Sequence, residues 1–387
     1  MSASADPSGT VVHEIRWSDA LPWWLLFRAA GAAFAPTVIL LAAAGAVATW
    51  AGWSMADRLD LAGVDAAADV IAAAKADDLL LPGQATPGTR TPFGRPGPLR
   101  SLGDRLPAVV TDLARLVAIP FRPTATLREL GGAAARIGWF LLVWSIFGTA
   151  ITRHVALKLV GEDAPGVVGA TWFGSRKWLP AFNSVLFVLV GVLALSVPGA
   201  ILGLAMRTSW GLAIAGAVWP LVLLGAVVLA ILVVGVVAGW PLMVACVGVE
   251  RGDSFQAIST AFSYLYQRPL HYAFYALVAL AVAIPSLAVA ALFADATASL
   301  ALWATSFGMG HDRTTAVLAG LTDAAPAATW GAQAIAFWNR GLETLLSSFG
   351  WGYFWAIATA AYLLLRQDVD GTELDEVVLE EPAGDAV

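Results

Sequence analysis

The sequence has few charged residues for its length. Charged side chains make up 13% of the 387 residues, about half the usual share, whereas hydrophobic side chains make up 59%. A chain this apolar lacks the polar side chains that a water-exposed surface needs, which excludes a soluble globular protein. The mean hydropathy is +0.74. The composition therefore predicts an integral membrane protein.

The sequence also lacks the common signals of catalysis and of metal or cofactor binding. The single cysteine, Cys246, excludes an internal disulfide and a multi-cysteine metal site. The four histidines share no short metal-binding motif, and no nucleophilic triad or phosphate-binding glycine loop is present. No basic cluster suits nucleic acid. We therefore expect a protein that is not an enzyme, with no catalytic residues, no metal, no cofactor and no nucleic-acid partner.

The net charge of −6 is concentrated at the carboxyl end. Residues 367–387 carry eight acidic side chains and no basic one, so the preceding residues sum to +2. A run of like charges is typical of a solvated tail. We expect residues 367–387 to form an acidic cytoplasmic tail, with recruitment of a basic partner as the alternative.

Long apolar runs predict an all-α, polytopic transmembrane helical bundle of about six spans, with five or seven as alternatives. A polar and interfacial segment, 1–32, precedes the first span at 33–54. The length of that span favours a retained helix over a cleaved signal peptide. Residues 55–131 form a water-exposed loop with a proline- and glycine-rich linker at 82–98. The other spans lie within 132–366, at 137–151, 181–206, 212–249, 270–293 and 351–365.

Three of these segments need further interpretation. The run 212–249 is longer than one bilayer crossing, and Gly239–Trp240–Pro241 is the predicted site of a bend or break. Residues 294–349 are amphipathic, and we expect them to lie along the interface. The last run, 351–365, is short unless it extends back through 342–349.

Two connecting segments resemble each other. Segments 162–180 and 250–269 each begin with an acid after an apolar run and end with a proline before the next one. In the second segment, Asp253 and Gln256 stand at capping-box positions. We predict two interfacial elbow helices and an internal repeat of 137–206 with 212–293, as in transporters with parallel repeats. The alternative is that any two re-entering helices need such a connector.

Three stretches carry a family resemblance: WSIFGTAITR from Trp144, VERGDSFQAISTAFSYLYQRPLHY from Val249 and YLLLRQDVDGTELDEVVLEE from Tyr362. They resemble uncharacterised multi-pass membrane proteins of planctomycete bacteria, over about 120–381. A second pattern is similar, more distantly, to the membrane domain of some glycerophosphodiester phosphodiesterases: Glu250, Ser254, Ala257, and Ser259 or Ser263. Neither resemblance implies a catalytic residue set, so both support the architecture and leave the function open.

Charged residues gather at the ends of the predicted spans. If the repeat is correct, they lie at one membrane surface, where stop-transfer charge and snorkelling are the simplest interpretation. The more specific hypothesis is that these charged residues form a shared pocket that contacts a lipid headgroup or another anion. Its candidate residues are Arg153, His154, Lys158, Arg176, Lys177, Arg251, Arg268 and His271.

The predicted function follows from these features. We expect a lipid-interacting, scaffold or accessory protein of the cell membrane, with membrane lipids as partners and a second membrane protein as a further candidate partner. A transporter or transport-complex subunit is the alternative, supported by the repeat and by prolines within spans. Basic residues near the span ends, nine against seven, favour cytoplasmic amino and carboxyl termini.

Overall fold

The structure is a computed structural model, and it describes residues 21–59, 119, 126–321 and 330–372. These residues are almost entirely helical. A 3-10 turn, Pro22–Trp24, precedes the first of eight α-helices in this described part: α1 Leu25–Ala33, α2 Pro36–Arg58, α3 Leu127–Val160, α4 Val167–Ala205, α5 Ser209–Glu250, α6 Ser254–Gln267, α7 Pro269–Leu321 and α8 Trp330–Asp370.

Six of the helices, α2 to α5, α7 and α8, contain a segment long and apolar enough to cross a membrane. The predicted all-α membrane bundle is therefore confirmed, and the chain is a multi-pass membrane protein. The helix α1 is a separate short piece, divided from α2 at Phe34 and Ala35. Its Arg28 Nη2 donates a 2.7 Å hydrogen bond to the carbonyl of Leu159, near the end of α3.

Close helix crossings depend on residues with little or no side chain. A Cβ placed at Gly248 of α5 would lie 2.0 Å from Thr152 Oγ1 of α3. At Gly174 of α4, a Cβ would lie 2.2 Å from the carbonyl oxygen of Ile146 of α3. Backbones approach this closely only where small residues face each other, as is common between membrane helices. These glycines therefore fix α4 and α5 against α3.

Aromatic side chains fill the centre of the bundle. Trp144 of α3 stacks on Trp351 of α8, with ring centroids 4.5 Å apart. Trp240 of α5 meets Trp355 of α8 edge to face at 5.1 Å. Trp144 and Trp355 are completely buried. Ring pairs of this geometry contribute more stabilising free energy than the burial of their apolar area alone. This contact region therefore holds α3, α5 and α8 together.

The outer parts of several helices leave large apolar side chains exposed. Most residues of α4 after Leu186 and of α5 before Gly235 are exposed, and the two helices form a hairpin with a tight turn at Arg207 and Thr208. Exposed members include Leu193, Ile201, Leu221 and Leu224. Such a surface suits a hydrocarbon environment.

The predicted first elbow helix is wrong. Residues 167–180 are not a separate element, because α4 runs without interruption from Val167 to Ala205 through Pro180. A membrane helix tolerates proline when neighbouring groups satisfy the freed backbone carbonyl. The second predicted elbow is a separate helix, α6, which begins after the Asp253 N-cap and ends before Pro269.

Further expectations are corrected by the long helices. The segment Gly239–Trp240–Pro241 lies inside α5, which is one helix of 42 residues, so the predicted break is wrong, and the alternative of a bend stays a prediction. Residues 294–321 continue α7, although Gly310 interrupts its helical geometry with φ 73°. By contrast, the expected alternative holds for the last run, which extends back through 342–349 because its helix, α8, begins at Trp330. Within the predicted 55–131 loop, residues 60–118 and 120–125 lie outside the described part, as do residues 1–20 and 373–387 of the predicted end segments.

Candidate functional site

The polar side chains of the bundle gather where α5 ends and the chain reverses into α6. Arg251 adopts left-handed backbone geometry, φ 60°, which ends α5. Asp253 then caps α6 by accepting a 2.7 Å hydrogen bond from the backbone amide of Gln256. The ring of Phe262 lies where a Cβ at Gly235 would be, and Tyr266 donates to the carbonyl of Ile231. The helix α6 therefore folds back along α5.

Glu250 is the centre of a hydrogen-bonded network at this reversal. Its Oε1 lies 3.2 Å from Nε of Arg366 and accepts a hydrogen bond from the hydroxyl of Tyr362, both on α8. Its Oε2 accepts a 2.8 Å hydrogen bond from the side-chain amide of Gln256. The carboxylate is thus bound by groups from α6 and α8, which compensates for its partial burial.

Two acids of the predicted tail belong to the folded structure. Asp368 accepts a 2.8 Å hydrogen bond from the hydroxyl of Tyr275 on α7, and Asp370 accepts one from the hydroxyl of Tyr264 on α6. Burial of Tyr264, together with the hydrogen bond and negative charge of Asp370, raises the pKa of its hydroxyl above the ordinary value. Both residues lie at the end of α8 and have hydrogen-bond partners on other helices, so the acidic segment is structured at its start, although Asp370 is exposed. We use the name carboxylate network for Glu250, Asp368 and Asp370 together with the side chains that bind them.

Two of the predicted cations lie over one aromatic ring, and a third donates a hydrogen bond to the backbone of one of them. The guanidinium carbons of Arg153 and Arg251 lie 5.3 Å and 5.6 Å from the ring centroid of Phe173. Lys177 Nζ donates a 2.9 Å hydrogen bond to the carbonyl of Arg251. Arg153 also donates to the carbonyl of Val249. Positive charge is favourable at a helix carboxyl terminus, so this cation cluster (Arg153, Lys177 and Arg251) stabilises the end of α5.

The other predicted cations are dispersed. His154 is buried, with Nδ1 2.8 Å from the carbonyl of Pro165. The exposed Arg176 lies over the ring of Trp172 at 4.1 Å. Arg268 and His271 lie on exposed positions near Tyr275 and Asp368, and Lys158 is exposed on α3. The structure therefore groups Arg153, Lys177 and Arg251 but does not bring all eight residues into one site.

Sequence analysis missed the tyrosines, three of which bind the carboxylates at this end of the bundle. All six tyrosines of the chain lie between positions 264 and 362. Each hydroxyl donates a hydrogen bond. Three go to carboxylates, and three go to the carbonyls of Ile231, Ala238 and Ala279. The sequence contains one signal for this arrangement. All the tyrosines lie in one quarter of the chain, and acidic residues flank that quarter.

Neither a metal site nor a known relative adds to this description. Within the described ranges, no group of three or more histidine, cysteine, aspartate or glutamate side chains is placed to hold a metal ion. Comparison of the chain with protein-family models, curated proteins and solved structures found no match. The function must therefore be argued from the arrangement of residues alone.

Proposed function

We propose that the protein is a non-catalytic component of the cell membrane that interacts with lipid and acts as a scaffold or accessory protein. The supporting observation is the contrast between the two parts of the bundle. Aromatic side chains such as Trp144 and Trp355 fill the core, whereas the α4–α5 hairpin exposes apolar side chains along most of its length. A filled core with an exposed apolar hairpin suits contact with lipid chains better than passage of a solute.

The lipid headgroup contact is proposed at the exposed cations near the reversal. Arg176 and Arg268 are exposed, so an anionic headgroup can reach them. Arg153 is 3% exposed and donates to the carbonyl of Val249, so we assign it to the stabilisation of α5. Both termini and the cation cluster are proposed to lie on the cytoplasmic side, because basic residues favour that side.

Native mass spectrometry of the full-length protein, released in mild detergent, tests this proposal. We expect wild-type protein to retain discrete masses of anionic lipid, and Arg176→Gln with Arg268→Gln to lose most of them. Arg207→Gln is the matched control, since Arg207 is an exposed cation at the opposite end of α5. Equal retention by the wild type and both variants would refute the headgroup contact.

Transport remains the second candidate function. Prolines lie inside three of the long helices, at Pro180, Pro198, Pro220, Pro241 and Pro285. Discontinuous helices often line the sites of transporters, and α7 is interrupted at Gly310. A co-purifying mass of small-solute size in the same spectra, in place of lipid, would favour a transporter or transport subunit over the scaffold.

A further inference from the structure

Five polar groups in the aromatic core have no hydrogen-bond partner among the described residues. They are the indole N–H groups of Trp144, Trp240 and Trp355 and the hydroxyls of Ser145 and Thr149. Four of the five residues are completely buried, and Trp240 is partly buried. We call these groups the indole–hydroxyl cluster. Buried polar groups without a partner are uncommon in folded proteins, and each calls for an explanation.

Indole N–H groups and buried hydroxyls elsewhere in the bundle do form hydrogen bonds. The indole N–H of Trp139 donates to the carbonyl of Ala48, and that of Trp53 donates to the carbonyl of Arg136. Buried hydroxyls such as those of Ser184 and Thr359 donate to carbonyls about one turn earlier in their own helices. The indole–hydroxyl cluster therefore departs from a pattern that this fold follows at similar positions.

Two of the indole rings adjoin the same turn of α3. Trp144 belongs to this turn, and the benzo edge of its ring contacts α2, with Cη2 3.1 Å from the position of a Cβ at Gly45, so the pyrrole half that carries the N–H lies nearer α3. The ring of Trp355 packs on Gly148 through the carbon next to its N–H, with Cε2 2.8 Å from the position of a Cβ there. The turn of α3 that carries Ser145 therefore contacts both rings.

The third indole and the second hydroxyl adjoin the same place. The ring of Trp240 meets that of Trp355 at 5.1 Å, and the Trp144 and Trp355 rings are 6.1 Å apart. Thr149 directly follows Gly148 and lies one helical turn after Ser145. The residues that carry the three indole N–H groups and the two hydroxyls therefore come from three helices and lie around one turn of α3.

We propose that the indole–hydroxyl cluster binds a small hydrogen-bond acceptor, either water or a halide ion. Indole N–H groups only donate, so their partner must accept, whereas the hydroxyls can donate or accept. A water molecule held by two to four polar groups is a regular feature of protein interiors. A halide ion accepts from several N–H and O–H donors at once, which the same arrangement supplies.

Resonance Raman spectroscopy of the full-length protein in nanodiscs tests the proposal, because an indole band reports N–H hydrogen bonding. The difference spectrum between wild type and Trp355→Phe isolates Trp355, and Trp144→Phe isolates Trp144. We expect both to report a bonded N–H. Trp338→Phe is the control, since Trp338 is exposed on α8 and lies outside the indole–hydroxyl cluster. A second variant, Ser145→Ala with Thr149→Val, retains every indole and is expected to shift the band toward weaker bonding.

The salt in the buffer distinguishes the two acceptors. Chloride is first replaced by gluconate, and bromide is then titrated into the sample. If the site holds a halide, the indole band shifts with the bromide concentration until the site is saturated. A bonded N–H that is unaffected by the anion indicates water. Difference spectra that report unbonded N–H groups for Trp144 and Trp355 in every buffer would overturn the proposal.

Discussion

Glu250 at the end of α5 and Arg366 near the end of α8 form an ion pair, with 3.2 Å between Oε1 and Nε. The two residues are 116 positions apart in the sequence, and both side chains are largely buried. Because the same carboxylate also accepts from Tyr362 and Gln256, it links α5 to both α6 and α8. The positions of these three helices therefore depend on one charged group.

Removal of this carboxylate should destabilise the protein strongly. We expect Glu250→Ala to lower the free energy of unfolding by about 3 kcal/mol, because a buried ion pair that loses one partner leaves the other charge uncompensated. Thermal melting in detergent measures the effect. Glu162→Ala is the control, since Glu162 is exposed after the end of α3. Equal melting temperatures for the two variants would contradict the structural role of Glu250.

A methyl group at Gly248 should be harmful, whereas one at Gly225 should not. Both glycines lie in α5, but only at Gly248 would a Cβ overlap a neighbour, Thr152 of α3. We expect Gly248→Ala to cost about 1–3 kcal/mol through overpacking. Gly225→Ala meets nothing within 4 Å and should stabilise the helix by up to about 1 kcal/mol. Chemical or thermal unfolding of the two variants in parallel measures this difference, and destabilisation of the same size at both would refute the close crossing.

The raised pKa of Tyr264 predicts a loss of stability at high pH. A tyrosine ionises near pH 10 in the unfolded chain, whereas burial and Asp370 keep it protonated to higher pH in the folded protein. Ionisation therefore favours the unfolded state as the pH rises above about 10, and has no effect below it. We expect melting temperatures from pH 8 to 11 to fall less steeply for Tyr264→Phe than for the wild type. Parallel pH profiles would show that Tyr264 is not responsible.

The proposed orientation can be measured with introduced cysteines. Cys246 is the single cysteine of the chain, so Cys246→Ser gives a thiol-free background. In that background we expect Arg207→Cys, at the turn between α4 and α5, to react with an impermeant maleimide in spheroplasts. Thr372→Cys, after α8, should react only after permeabilisation. The reverse pattern would place both termini outside.

The sequence predicts the membrane class and the span count well, because both depend on composition and run length. The apolar runs around 181–206 and 270–293 are far too long and uncharged for another interpretation. Six spanning helices in the described residues agree with the prediction. Local composition is sufficient here because the bilayer itself imposes the constraint on helix length and polarity.

The points at which helices end were less predictable. The sequence predicts that a span starts at Pro180, yet α4 passes through it, because the cost of a proline inside a helix depends on what satisfies the freed carbonyl. That information lies in tertiary contacts. The partners of Glu250 were equally hidden, since Tyr362 and Arg366 are more than 100 positions away. Only packing of α8 against α5 brings them together.

The length of α5 has a mechanical consequence. At 42 residues it is a rod of about 60 Å, with its polar end attached to α6 and α8 and its other end at the exposed turn beside Arg207. A lever of that length magnifies small rotations, and a tilt of about 5° at Glu250 moves the far end by about 5 Å. A displacement of the turn at Arg207 would therefore exert torque on the contacts of the Glu250 carboxylate at the other end of the helix.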